Sequence, residues 1–307
     1  MNKPQPVNLA ASTHQRLLNL SQAMGEDFNF LLSRYAIERL LYRLYRSPYA
    51  DQFVLKGALL FLVWAVPVHR PTRDIDFLGF GDNSAQQLAR VFREICLVEV
   101  EADGLIFDPE TIRVRPIREE QEYGGQRITL TAQLGRARIP TRIDVGFGDA
   151  VVPAAIETTY PTLLKFPAPQ IRVYPKEAVI AEKVHALVTL DMTNSRMKDF
   201  FDLWTLSRLF PFDGNPLVQA IQATFGRRQT PLPQDVPVAF TAKFFDSTDK
   251  ITQWQAFVRR NRIDTGGASL AQVMAELVVF LLPPLQAAAN DLSFSATWDS
   301  GGPWVIA

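Results

Sequence analysis

The chain has 307 residues, 47% of them hydrophobic and 21% charged, with 32 basic residues balanced by 32 acidic ones. That is ordinary for a soluble globular chain with one or two cores, and zero net charge excludes a protein coated in positive charge, so nucleic-acid binding would rest on a local patch. A lone cysteine, Cys96, excludes an intramolecular disulfide and a cysteine metal cluster; it reads as a small buried hydrophobe in a reducing cytoplasm.

The first twenty residues lack an apolar signal core. Residues 12–47 read as two helices. Leu17, Leu20 and Met24 recur at helical spacing, Gly25 interrupts, and Phe28, Leu31, Leu32, Tyr35 and Leu41 resume the pattern, with Arg34 and Glu38 spaced to pair. Phe53 to Leu78 reads as a turn, a helix and a strand carrying Asp74 and Asp76. Asp82-Asn83-Ser84 caps a helix over 85–95. From Val98 to Phe147 the signal changes to strands, at 112–117, 127–131 and 142–147, with Gly124-Gly125 as a hairpin. Pro161, Pro167, Pro169 and Pro175 punctuate a linker-like stretch before a mostly helical part running to about residue 289. The apolar run Leu270–Leu285 contains Gln272 and Glu276 and should stop at Pro283-Pro284; it reads as a buried helix and not a membrane span. Residues 290–307, rich in Ser, Asp and Gly, read as a weakly ordered tail. The expected architecture is α/β (α+β): helices over 1–50 packed on a core over 51–165 with a mixed sheet, a helical lobe over 166–290, and a tail over 291–307.

The most informative stretch is Lys56-Gly57-Ala58 followed by Asp74-Ile75-Asp76. Side chains two apart on a strand share a side, about 6–7 Å apart. Two carboxylates held so repel unless a cation sits between them, and Mg²⁺ takes one or two carboxylates plus substrate phosphates. The small residues after Lys56 let backbone amides approach a phosphate. Alone, Asp-x-Asp is as well read as a solvated strand-end pair. Asp144, mid-strand between Ile143 and Val145, is a candidate third metal carboxylate; it could equally pair with Arg142. On a helix over 177–187, Lys183 lies beside the apolar face, and is either a phosphate contact or a solvated charge. His185 reads as a polar-face or satisfied core histidine. Asp199 and Asp202 share a helix face, and the plain reading is a helix-start acid plus a Lys198–Asp202 surface pair. Arg113, Arg115, Arg118, Arg127, Arg136, Arg138 and Arg142 could form a basic sheet face that tracks a phosphate backbone; interrupted by Glu119, Glu120 and Glu122, it is equally a solvated face.

Read in order, Phe53–Ala58, Arg70–Phe77, Glu177–Ala186 and Arg196–Leu203, with Arg34–Leu44 before them, resemble the AbiEii/AbiGii toxin family of nucleotidyltransferases, within the DNA-polymerase-β-like superfamily. The resemblance covers roughly residues 10–290. It implies a polymerase-β-like lobe with a mixed sheet and a mainly helical C-terminal lobe. Gly57 and Ala58 would form the turn that holds a triphosphate, with Lys56 before it and Arg73 near the phosphates. Asp74 and Asp76 would bind Mg²⁺ (or Mn²⁺). Lys183 would contact the nucleotide phosphates, and Asp199 and Asp202 would match a later acidic motif. The superfamily turn usually has Gly-Ser or Gly-Gly; Ala58 keeps the backbone N–H and lacks the hydroxyl. The resemblance implies a cytoplasmic toxin, favoured as a monomer, paired with an antitoxin in a toxin–antitoxin or phage-defence system. It would move NMP from an NTP donor to the 3′ acceptor end of tRNA and so block translation, with no role for a membrane. Nucleotidylation of a partner protein (AMPylation), or a non-catalytic RNA- or antitoxin-binding protein of the same fold, are the alternatives.

Overall fold

A computed structural model gives the fold and describes residues 8–66, 71–117 and 125–306. Arg70, Arg118, Glu119, Glu120, Glu122 and Gly124 of the patterns above lie outside the described residues. The chain divides into two compact units. The first comprises Met1–Ala65, Pro71–Gly148 and Ile156–Val173; the second comprises Val66–Arg70, Asp149–Ala155 and Tyr174–Ala307.

The first unit carries α1 (Leu9–Met24), α2 (Phe28–Tyr45), β1 (Phe53–Lys56), α3 (Leu60–Val63), β2 (Asp74–Gly79), α4 (Ala85–Cys96), β3 (Leu105–Ile117), β4 (Gly125–Leu134), β5 (Ala137–Phe147), β6 (Ile156–Thr159) and β7 (Gln170–Val173). Gly25, left-handed at φ 67°, ends α1, and Ser84 caps α4 by accepting from the Gln87 N–H. The seven strands form one mixed sheet in the order β3-β4-β5-β2-β1-β7-β6, with β2–β5 and β1–β7 parallel. Alternation does the sorting. Ile75, Phe77, Ile143, Val145, Ile128 and Leu130 are buried, while the residues between them on β2, β4 and β5 point to the other face. Two expectations change here. Phe53–Lys56 is a strand and not a turn, and β7 extends the sheet beyond residue 165 into the proline-punctuated stretch.

α2 is tied to this unit by buried charge. Asp103 accepts from Arg39 Nε at 3.0 Å, from Arg43 Nη1 at 2.7 Å and from the Leu105 N–H at 2.9 Å. Burial alone would raise its carboxyl, but the arginines and that N–H hold it below its usual value. The expected Arg34–Glu38 pair is not made: Arg34 pairs with Glu26 at 3.2 Å, and Glu38 accepts from the Leu163 N–H at 2.7 Å. Cys96 is buried, which pushes its thiol up to about 12.

The second unit carries α5 (Lys176–Leu190), α6 (Met197–Leu209), β8 (Phe212–Asp213), α7 (Gly214–Arg227), α8 (Ala242–Phe245), α9 (Thr248–Asn261), α10 (Leu270–Ala289), β9 (Ala296–Trp298) and β10 (Trp304–Ile306), with the strands ordered β10-β9-β8. By length and composition α10 passes as a membrane span, the one such helix among the described residues; half of it is buried, with Val273, Leu277, Phe280 and Leu281 inaccessible to solvent. It does not stop at Pro283-Pro284. Pro284 has no N–H to give the carbonyl four residues back, which is that of Phe280. Trp304 Nε1 donates to that carbonyl at 2.9 Å. Residues 291–306 are therefore not a loose tail. Trp298 and Trp304 pack on Phe280 with centroids 4.7 and 5.9 Å away, and Trp298 Nε1 donates to the Ser207 carbonyl at 2.7 Å. Large aromatic area with a satisfied N–H outweighs the Ser/Asp/Gly composition.

Trp304→Phe keeps most of the ring and removes the donor. It should cost about 1–2 kcal/mol in urea unfolding. In a Pro284→Ala background, where the helix N–H is restored, the same change should cost measurably less.

Candidate active site

The sequence-derived residues fall into two groups, one in each unit. In the first, strand register sets the geometry. Lys56 on β1 pairs with Asp76 on β2, Asp76 with Asp144 on β5, Asp144 with Arg127 on β4, and Arg127 with Arg115 on β3. Residues paired across a ladder share a face, so these five form one row across the sheet, about 4.8 Å from strand to strand. A second row, Asp74–Arg142–Thr129–Arg113, lies beside it on the same face.

Gly57 ends β1 at φ +75°. A Cβ there would stand 2.1 Å from Asp76 Oδ2, so the carboxylate occupies the space that a side chain would need. Glycine is required twice over, for its backbone angle and for this approach. Ala58 follows in a short 3₁₀ turn with its methyl buried.

Asp144 is held by two parallel hydrogen bonds, from Arg127 Nε at 2.8 Å and Nη2 at 2.7 Å. Such a fork fixes the position and orientation of the carboxylate. Asp74 pairs with Arg142 at 3.3 Å, with both side chains near half exposed. The Arg142 partner considered for Asp144 thus goes to Asp74. Register could have exposed the Arg127–Asp144 pair, but strand pairing is not written in a single sequence. Arg73 lies outside both rows and pairs with Asp27 at 3.6 Å, both well exposed.

A divalent ion would find hard oxygen donors here. Mg²⁺ requires only one or two carboxylates beside substrate phosphates, and Asp74 and Asp76 on one strand face suit it. Among the described residues no three acid, histidine or cysteine side chains gather as a metal cage. Asp144 serves first as the partner of Arg127.

In the second unit, Lys183 on α5 donates to Asp199 Oδ1 at 2.6 Å and Asp202 Oδ2 at 2.8 Å on α6. Both acids have almost no exposure, so the surface reading with Lys198 is wrong. Arg196 adds an ion pair to Asp199 at 2.7 Å. Burial alone would raise the Asp199 carboxyl; Lys183, then Arg196, outweigh it and hold it below its usual value. His185 is a satisfied core histidine, with Nε2 2.8 Å from the Thr230 hydroxyl and Nδ1 3.3 Å from Arg228. Burial and Arg228 push it down to about 4, so it is neutral at pH 7.

A mixed sheet that presents paired carboxylates beside a glycine turn with a flanking lysine is the equipment of a phosphoryl- or nucleotidyl-transferring enzyme. The model of the AbiEii nucleotidyl transferase toxins of type IV toxin–antitoxin systems matches residues 39–275. The chain belongs to that family and is a nucleotidyltransferase, with an antitoxin as the family's partner. It is also similar to two solved structures from Helicobacter pylori. One, of a candidate nucleotidyltransferase, is 16% identical over 92% of this chain and 96% of that chain, TM-score 0.44. The other, JHP933, is 17% identical over 84% and 93%, TM-score 0.45. Among curated proteins none matches.

Gly57→Ala should destabilise the protein by about 2–4 kcal/mol in chemical unfolding, from the positive φ and the collision with Asp76, and should reduce any nucleotide transfer. Lys183→Met, which leaves the buried Asp202 without its lysine and Asp199 with Arg196 alone, should cost about 3–5 kcal/mol near neutral pH. The sign with pH follows. In the native chain the depressed Asp199 pKa gives stability that is present above the ordinary carboxylate value and lost as pH falls through the folded value. In the variant the Asp199 pKa moves up, since burial is then opposed by Arg196 alone, and relative stability is lost as pH rises through it. The deficit should therefore narrow from pH 7 to pH 4, measured by unfolding at each pH.

Proposed function

We propose that this nucleotidyltransferase moves a nucleoside monophosphate from an NTP to a hydroxyl at the 3′ acceptor end of tRNA, and that this blocks translation until the antitoxin intervenes. The observation that carries the reading is the row Lys56–Asp76–Asp144–Arg127 beside the side-chain-free Gly57. It offers a cation, a glycine turn with backbone amides and a fixed carboxylate on one face.

Asp74 and Asp76 would hold Mg²⁺ (or Mn²⁺), which when bound neutralises phosphate charge and activates the attacking hydroxyl. The chain's own groups orient and compensate. Lys56 and the amides of Gly57 and Ala58 cradle the triphosphate, Arg127 holds Asp144 in place along the row, and Arg73 supplies further positive charge from its place beside Asp27. Lys183, its ammonium fixed by Asp199 and Asp202, is a separate candidate for a phosphate contact. Catalysis is then mainly positioning and charge neutralisation. The protein acts in the cytoplasm, within a system that serves phage defence.

Purified protein incubated with total tRNA, Mg²⁺ and each α-labelled NTP in turn should label tRNA from a preferred donor, and Asp76→Asn should abolish the label. Label on a lysate protein with none on RNA would move the acceptor to a protein side chain. No label on any macromolecule would overturn the transfer reading.

A further inference from the structure

The rows continue past the acids. Arg115 on β3 stands directly across from Arg127 on β4, and Arg113 on β3 faces Thr129, with Arg142 beyond it. Like charges directly opposite on a sheet face destabilise it. Arg127 is compensated by Asp144 and Arg142 by Asp74. Arg113 Nη1 is tied to the backbone carbonyls of Glu110 and Ile112. Arg115 is exposed and makes no ion pair with a described residue. A chain of zero net charge thus spends four arginines on one end of one sheet face.

The order of the row separates two kinds of phosphate. The Gly57 turn and Lys56 sit on β1, at the donor end. Arg127 lies two strands beyond Asp76 and Arg115 three, about 10 and 14 Å at ordinary strand spacing. A triphosphate seated on the Gly57 turn and Asp76 does not reach that far. We infer that Arg115, with Arg127 behind it and Arg113 beside it, seats a backbone phosphate of a nucleic-acid acceptor, so that the sheet reads donor to acceptor from β1 to β3. The inference rests on the transfer reading above. Arg115 acts as a positioning residue, contacting the acceptor strand away from the reacting atoms.

The test separates the two phosphates. Binding of labelled tRNA is measured across a salt series without NTP, and thermal stabilisation by NTP and Mg²⁺ is measured without RNA. Arg115→Ala should weaken tRNA binding about tenfold and reduce the slope of log affinity against log salt by about one, as for one lost phosphate contact. Arg115→Lys should restore the slope, and stabilisation by NTP should be unchanged in both variants. Arg115→Gln, closer in size, should behave as alanine does, which separates lost charge from local unfolding. Native affinity and slope in Arg115→Ala and Arg115→Gln would overturn the inference. So would loss of NTP stabilisation, which would put the residue at the donor end, or transfer to a protein with no measurable tRNA binding. If tRNA binds through Arg115 yet takes up no label, the seat stands and the transfer reading falls.

Discussion

The space that a side chain on residue 57 would fill holds the carboxylate of Asp76. From that contact the rest of the first unit's charged face follows. It sets β1 against β2 with Lys56 opposite Asp76, and the parallel pairing of β2 with β5 then brings Asp144 alongside. A slip of one residue in any of these pairings would set the acids of one strand on the face of its neighbour's isoleucines. The buried layer of Ile75, Ile143 and Ile128 forbids that slip. The hydrophobic face of the sheet and the charged groups of the other face are thus one specification, helped by a backbone turn that favours glycine.

Buried charge appears in each unit and does different work. Asp103 fastens α2 to the segment leading into β3, and its hydrogen bonds from Arg39, Arg43 and a backbone N–H leave little capacity unused. The Lys183–Asp199–Asp202 triad carries two carboxylates for one lysine, with Arg196 reaching in from the half-exposed helix start. Desolvating such groups is costly, and a structural role is discharged equally well by packed hydrophobic residues.

Much of this was legible in the sequence because local signals carried it. Gly25 between two helical periods, Ser84 before an amphipathic run and alternation in 112–117, 127–131 and 142–147 all correspond to elements found. The Asp74/Asp76 strand and the Gly57 turn were legible from spacing. What stayed hidden depended on pairing between distant segments. β1 is four residues long, too short to show a period. Asp144 could not be given to Arg127 without the β4–β5 register, and Lys198 looked like the neighbour of Asp202 because helix spacing says nothing about a lysine on another helix. The C-terminal residues were misread because composition weighed Ser, Asp and Gly and did not weigh what two tryptophans could cover.

That last segment bears on cooperativity. A helix interior normally closes its own hydrogen bonds, so a terminal turn can fray and re-form alone. In α10 the carbonyl of Phe280 is completed by Trp304, 24 residues further along, in a strand of the small sheet. The end of the helix, the loop after it and the β8–β9–β10 sheet therefore lose their mutual support together, and behave as one opening unit in hydrogen exchange and not as a frayed end followed by a core.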